Sequence, residues 1–373
     1  MSEPIRADQT TLDELPLRDE LRSATPYGAP QLDVAIRLNT NENPYGPSEV
    51  VVADMAAAAA RAARSLNRYP DRDVIALRAE LAAYLNGDGA DGLRVDNVWA
   101  ANGSNEVMLQ LLLAFAGPGR TVLSFAPTYS MYPEYARDTH STWVTARRAE
   151  DFTIDIDAAR DAIAEHRPSV VFLASPNNPT GTALPSGDIE AVLRAAPGMV
   201  IVDEAYGEFR RSGVPSALTL LPRYPRLVVT RTMSKAFALA GGRLGYLAAS
   251  SAVVDAVRIV RLPYHLSAMS QAVARVALAH GDELLAAVDV LRGERDRTVA
   301  ALRALGLQAP DSDANFVLFG TFPDAHAVWQ GLLDRGVLIR ETGPNGWLRV
   351  SIGTAQEMQS FHRALDEVLN GAR

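Results

Sequence analysis

The chain has 373 residues, enough for two domains of ordinary size, and its 48% hydrophobic and 21% charged fractions are those of a globular protein. Lys plus Arg number 36 against 44 Asp plus Glu, a formal charge of -8, which excludes a broad nucleic-acid surface but not a local basic pocket. There is no cysteine, which excludes disulfides, thiolate nucleophiles and zinc–thiolate sites. No run is apolar enough to span a bilayer, and the opening MSEPIRADQT lacks the basic-then-apolar plan of an export signal, so the expected location is cytoplasmic.

The first 35 residues are polar and proline-punctuated and read as an arm with one short helix. Ser48 is placed to cap a long Ala-rich helix reaching about Ser65, with the alanines of 56–60 packed closely. Asp73 is placed to open a second helix ending near Leu85. Between Asn97 and Leu247, short apolar runs (NVWAA, TVLSF, VVFLA, MVIVD, LVVTR, GYLAA) alternate with amphipathic segments long enough for crossovers. That rhythm predicts an α/β fold with a mostly parallel sheet covered by helices on both faces. Helices dominate after Ser251, including one from about Asp282 to Leu305. NFVLFG, VLIR and WLRVSI then give short strands around a helix near 325–335, and Thr354 with Glu357 forms a capping box before the last helix. This is a smaller α+β unit, and no internal repeat is present.

In open sheets of this kind ligands bind beyond the carboxyl ends of the strands, so polar residues directly after apolar runs draw attention. TRTMSKAFALAGGRLG follows LVV, and its Lys235 sits among small and hydroxylic neighbours. A lysine there loses solvation, which lowers its pKa and makes it nucleophilic toward an aldehyde, whereas a lone lysine after a strand is ordinarily solvated. Thr232, Ser234 and Arg243 supply donors for a phosphate ester. Asp203, at the end of MVIVD, suits a pyridine nitrogen, since an ionised carboxylate keeps the ring protonated and electron-accepting. A metal is disfavoured, because only Glu204 accompanies it.

Tyr206 can reach a neighbouring ring oxygen, as can Asn178 of SPNNPTG, a segment that otherwise reads as a plain turn. NGSNE (102–106) opens a helix and reads either as an anion site on free N–H groups or as capping by Ser104. Its Asn-Gly-Ser glycosylation pattern is set aside for a chain with no export signal. Tyr129 reads either as a core aromatic or as a ring lying on a cofactor.

In chain order, NENPYG, RYPD, NGSNE, PTYSMY, SPNNPTG, VDEAYGEF, TMSKAFALAGGRLG, RLPYHLS and RVSIGT together resemble the fold-type-I pyridoxal-phosphate-dependent aminotransferases over almost the whole chain. LNTNENPYGPS, ANGSNE, TRTMSKAFA and SDANFVLFG look like the histidinol-phosphate group of that family, of actinobacterial type. The resemblance implies a large domain with a seven-stranded, mostly parallel sheet, a smaller α+β domain, and a homodimer with shared active sites. The division expected is 1–45 for the arm and part of the small domain, 46–261 for the cofactor domain and 262–373 for the small domain.

By the same resemblance Lys235 holds pyridoxal 5'-phosphate covalently and serves as general base, and Asp203 pairs with the ring nitrogen. Tyr206 and Asn178 contact the ring oxygen, and Tyr129 stacks on the ring. Gly103, Ser104, Asn105, Thr232, Ser234 and Arg243 surround the phosphate, with Tyr69 reaching across from a partner subunit. Arg349, Arg340, Tyr27 and Asn43 bind substrate, and Tyr264 and His265 border its side chain. The implied substrates are glutamate and imidazole acetol phosphate, giving 2-oxoglutarate and histidinol phosphate in histidine biosynthesis. A planar Arg fork suits both a carboxylate and a phosphate, while the plain alternative for Arg349 is a surface salt bridge.

Three alternatives stay open. An aromatic-amino-acid aminotransferase would keep every cofactor residue. A non-catalytic cofactor-binding regulator would need a DNA-binding domain, for which the segment before NENP is too short. A decarboxylase or lyase would share Lys235 and Asp203.

Overall fold

The computed structural model describes residues 10–371, so the opening residues 1–9, on which part of the export reading rests, lie outside the described set. The described residues up to 31 and those from 32 onward form two contact units. In the first, among the described residues, two single 3-10 turns, Leu12–Glu14 and Asp19–Leu21, stand where one short helix was expected. Prolines at 16, 26 and 30 leave no uninterrupted stretch on which an apolar helical face could build.

In the second unit all six apolar runs form strands: Val98–Ala101, Thr121–Ala126, Val170–Ala174, Met199–Asp203, Leu227–Thr232 and Gly245–Ala249. A seventh, Thr142–Arg147, is added at the edge beside Thr121–Ala126. It escaped the sequence reading because an edge strand needs only a half-apolar face, and TWVTAR has no continuous apolar run. Across the sheet the order runs from Val98–Ala101 through 245–249, 227–232, 199–203, 170–174 and 121–126 to 142–147. Gly245–Ala249 is antiparallel to both neighbours, and the remaining pairs are parallel.

The inner strands are buried on both faces, which is why they read as continuous apolar runs. Alternation sorts their side chains: Val200, Val202 and Val229 join one core, while Met199, Ile201, Phe172 and Val228 join the core beneath helix Ser104–Phe115.

The first long helix is Glu49–Ala63, with Ser48 Oγ accepting from Val51 N. Of its alanines 56–60 only Ala58 is fully buried, so the run owes more to helix propensity than to close packing. The second helix is Ile75–Gly87, and the carboxylate at its start is Asp71, not Asp73: Asp71 Oδ2 accepts from Ile75 N at 2.8 Å. Asp73 is drawn aside by Arg72 (3.0 Å) and Arg261 (3.2 Å).

Toward the C-terminus, helix Gly281–Ala304 leads to a three-stranded antiparallel sheet ordered Arg340–Glu341, Leu348–Ser351, Phe316–Phe319. The run VLIR divides between two sheets, because Val337–Leu338 pairs in parallel with Ile36–Arg37. Helix Ala355–Gly371 starts at the expected box, with Thr354 N donating to Glu357 Oε2 (2.7 Å) and Glu357 N to Thr354 Oγ1 (3.3 Å). A separate core of Phe316, Phe319, Leu348, Val350 and Phe361 also takes in Leu38, Tyr206 and Ala236. Thus, through Tyr206 and Ala236, the small sheet's core meets the large sheet at the carboxyl ends of its strands.

Candidate active site

Alternation along Met199–Asp203 carries Asp203 onto the face of Met199 and Ile201, at the strand's carboxyl end. There Tyr132 donates its hydroxyl to Asp203 Oδ2 at 2.8 Å, while Ala205 N (3.1 Å) and Thr230 Oγ1 (3.4 Å) donate to Oδ1. Burial pushes the carboxyl up to about 6, a rise these three donors oppose and neighbouring Glu204 reinforces. Held by neutral donors only, this carboxylate fits a protonated ring nitrogen. Below it, the buried Glu204 takes Arg231 (2.7 Å), Arg210 (3.1 Å) and Ser216 (2.7 Å), which anchors the turn that aims Asp203.

Strand Leu227–Thr232 ends in a turn fixed by Thr232 Oγ1, which donates to Leu244 O (3.1 Å) and accepts from Ser234 N (3.1 Å). Lys235 follows. Its Nζ donates to Thr40 O at 2.8 Å and lies 5.9 Å from the Tyr206 ring centroid. Burial first, then Arg349 and Arg243, bring its pKa down to about 8 against the opposing pull of Glu42, so a share of the amine is uncharged near neutrality. Tyr206 Oη accepts from Asn41 Nδ2 (3.0 Å), and Asn41 is itself held by Ser351 Oγ, which donates to its Oδ1 (2.8 Å).

Helix Ser104–Phe115 begins at Gly103, whose φ of +85° suits glycine, and no side chain caps the first turn. Capping by Ser104 is therefore replaced by Gly103 as the cap residue, with Ser104 and Asn105 as the first helical residues. A Cβ on Gly103 would stand 2.6 Å from the Arg243 guanidinium, and one on Gly245 would collide with Ser104 N. Gly245 pairs with Thr232 across the sheet, so Gly103, Ser104, Thr232, Ser234 and Arg243 converge. First-turn N–H groups, the Ser234 hydroxyl and a guanidinium are donors for a phosphate ester, with the Thr232 hydroxyl fixing the turn that presents them.

Arg349 is buried, which rules out the surface salt bridge. Its guanidinium donates to Asn178 Oδ1 (2.6 Å) and Asn39 O (2.7 Å), leaving Asn178 Nδ2 to donate elsewhere. Arg340 is its cross-strand partner, so both side chains share one face of the small sheet.

The remaining expected residues have the following neighbours. Asn43 is committed to backbone, its Nδ2 on Ala236 O (3.1 Å) and its Oδ1 on Tyr45 N (3.0 Å), so it braces the lysine turn. His265 is a structural tie, stacked on Trp99 at 5.2 Å with Nε2 on Ala100 O. Tyr69 is 79% exposed and stacks on Tyr264 of its own chain at 4.4 Å. Tyr129 sets its ring at 88° to Tyr132, 5.5 Å away. Tyr27 belongs to the first contact unit.

The sequence reading passed over Tyr132, Asn41 and the carbonyls of Asn39 and Thr40. Of these only Tyr132 had a signal, its place one helical turn after Tyr129 in PTYSMY.

Residues 33–365 match the family described as aminotransferase class I and II. A histidinol-phosphate aminotransferase of Thermobifida fusca is 62% identical over 355 residues, covering 95% of this chain and 96% of that protein. One from Frankia casuarinae is 61% identical over 364 residues, 96% of this chain and 92% of the other. The crystal structure of a Sinorhizobium meliloti histidinol-phosphate aminotransferase in complex with pyridoxal-5'-phosphate superposes with a TM-score of 0.81 at 27% identity, covering 91% of this chain and 92% of that one. The chain belongs to the class I and II aminotransferases.

Proposed function

We propose that this protein is a pyridoxal-phosphate-dependent histidinol-phosphate aminotransferase, exchanging an amino group between glutamate and imidazole acetol phosphate. The observation that carries the reading is an amine depressed to about 8 and a carboxylate raised to about 6 at the ends of neighbouring strands, beside a buried arginine. Near-full-length identity to relatives of that name supports the substrate.

Bound here, the cofactor supplies an aldehyde for amine capture and a ring that accepts electron density from the substrate Cα. Asp203 holds the proton on the ring nitrogen. Lys235 would hold the cofactor through its aldehyde, and its uncharged amine would move the proton at the substrate Cα. Tyr206 and the Nδ2 end of Asn178 donate to the ring oxygen. The cluster around Gly103 and Arg243 fixes the phosphate, and Tyr129 covers the ring. Arg349, with Arg340 beside it, binds the substrate's acidic end, and through Asn178 Oδ1 it also orients the ring contact.

In this reading two copies assemble and share sites. The large exposed apolar residues Tyr69 (79%), Ile259 (83%) and Leu262 (74%), with Tyr69 stacked on Tyr264, support a covering partner that takes Tyr69 to its own cofactor. We divide the chain into 1–45, 46–261 and 262–373, although Leu266, Ala274, Ala277 and Leu284 pack in the large sheet's core and favour a later boundary. A cytoplasmic location accords with the lack, among the described residues, of any helix long and apolar enough to cross a membrane.

Turnover of histidinol phosphate with 2-oxoglutarate, measured beside phenylalanine, tests the substrate. A preference for phenylalanine would overturn it.

A further inference from the structure

Tyr132 has no role in the reading above. Its ring is wholly buried, stacked on Phe172 at 4.4 Å and 8°, and met edge-on by Tyr129 at 5.5 Å. Its hydroxyl donates to Asp203 Oδ2 at 2.8 Å, so one rigid side chain touches both the carboxylate and the tyrosine that covers the ring. Thr230 and Ala205 N meet the other carboxylate oxygen, leaving Tyr132 as the donor on Oδ2.

Behind Tyr132 lies Arg148, a buried guanidinium that donates to Phe125 O (3.2 Å) and Phe152 O (3.0 Å) and whose charge reaches the Tyr132 hydroxyl. The titratable groups around the pair are Asp203, Glu204, Tyr129, Tyr135 and Arg148. Burial first, then Asp203 beside it, hold the phenol's proton in place, so it remains a donor at every working pH.

We propose that Tyr132 is a positioning residue for Asp203: its fixed hydroxyl aims the carboxylate at the cofactor's ring nitrogen and keeps it a weak base, so that the proton stays on the nitrogen. This rests on the cofactor reading above. Without the donor, Asp203 becomes more basic and draws the proton from the ring, which then accepts electron density less well. Tyr132 touches no substrate, so the loss falls on kcat and leaves KM in place.

The test uses holoenzyme loaded with pyridoxal phosphate carrying ¹⁵N in its ring. Tyr132→Phe keeps the stack on Phe172 and removes only the donor. Loading on Lys235 should remain stoichiometric, the ring-nitrogen resonance should move toward unprotonated pyridine, and kcat should fall about tenfold to a hundredfold, the worth of one hydrogen bond to a charged group. Tyr132→3-fluorotyrosine keeps the shape and strengthens the donor, so its resonance should not follow that of the Phe variant but move the opposite way. It serves alone if the Phe variant does not fold. A ring-nitrogen signal unchanged by the substitution overturns the proposal. A wild-type protein that takes up no pyridoxal phosphate overturns the cofactor reading instead.

Discussion

Asp203 is poised for chemistry at the expense of stability, and Asp203→Asn should expose this. In the cofactor-free protein its carboxyl stands at about 6 against an ordinary 3.8, chiefly through burial. At about 1.4 kcal/mol per pH unit, an ionised Asp203 then costs the fold about 3 kcal/mol at neutral pH. Because the folded value is the higher one, the native chain holds the proton longer than the unfolded chain, and stability falls as pH rises from about 4 to about 6. Asparagine does not titrate. The cofactor-free variant should therefore be more stable than wild type at pH 7.5, by up to about 3 kcal/mol, with the gap about half as large at pH 5. Urea unfolding of both proteins, stripped of cofactor, across that range measures it. Transaminase activity should collapse in the same variant. A gap that does not change with pH, or an Asn variant less stable at pH 7.5, would refute the electrostatic account.

Capture of pyridoxal phosphate by cofactor-free protein should quicken as pH rises through about 8, where Lys235 loses its proton; stopped-flow absorbance reads this, and a pH-independent rate contradicts the role given to the amine. Lys235→Ala should show no glutamate-driven change in the cofactor's absorption. Arg349→Lys replaces a planar fork serving both Asn178 and Asn39 by a point charge, and kcat/KM for glutamate and histidinol phosphate should both drop roughly tenfold to a hundredfold. Gly103→Ala adds a Cβ 2.6 Å from Arg243 at a φ of +85°, and cofactor affinity in equilibrium titration should weaken roughly tenfold while the fold is retained.

What could be read in advance followed local physics. Strands buried on both faces advertise themselves as apolar runs, and the polar residue ending each run marks the ligand side, which singled out Asp203, Asn178 and Lys235. Contacts that fold together distant segments left no such trace. Lys235 meets the main chain of Thr40, 195 residues away, and a carbonyl has no sequence signature. Asn41 and Asn43 are chemically identical in NENP, and only the left-handed φ of 55° at Asn41 sends its amide to Tyr206 while that of Asn43 stays on backbone. Asp71 and Asp73 likewise compete for one helix start, and Asp73 is drawn away by adjacent Arg72 together with Arg261, far along the chain.

The bond between Arg349 and Asn178 has an implication for redesigning the enzyme's selectivity. In the proposed function the guanidinium that grips the incoming molecule shares an amide with the ring, so exchanging it for another specificity should also detune the engine that performs the transfer. Arg340 lies on the small sheet's outer strand, opposite Arg349. Efforts to retarget the protein toward neutral or bulkier amines therefore have to restore a partner for Asn178 wherever they alter 349.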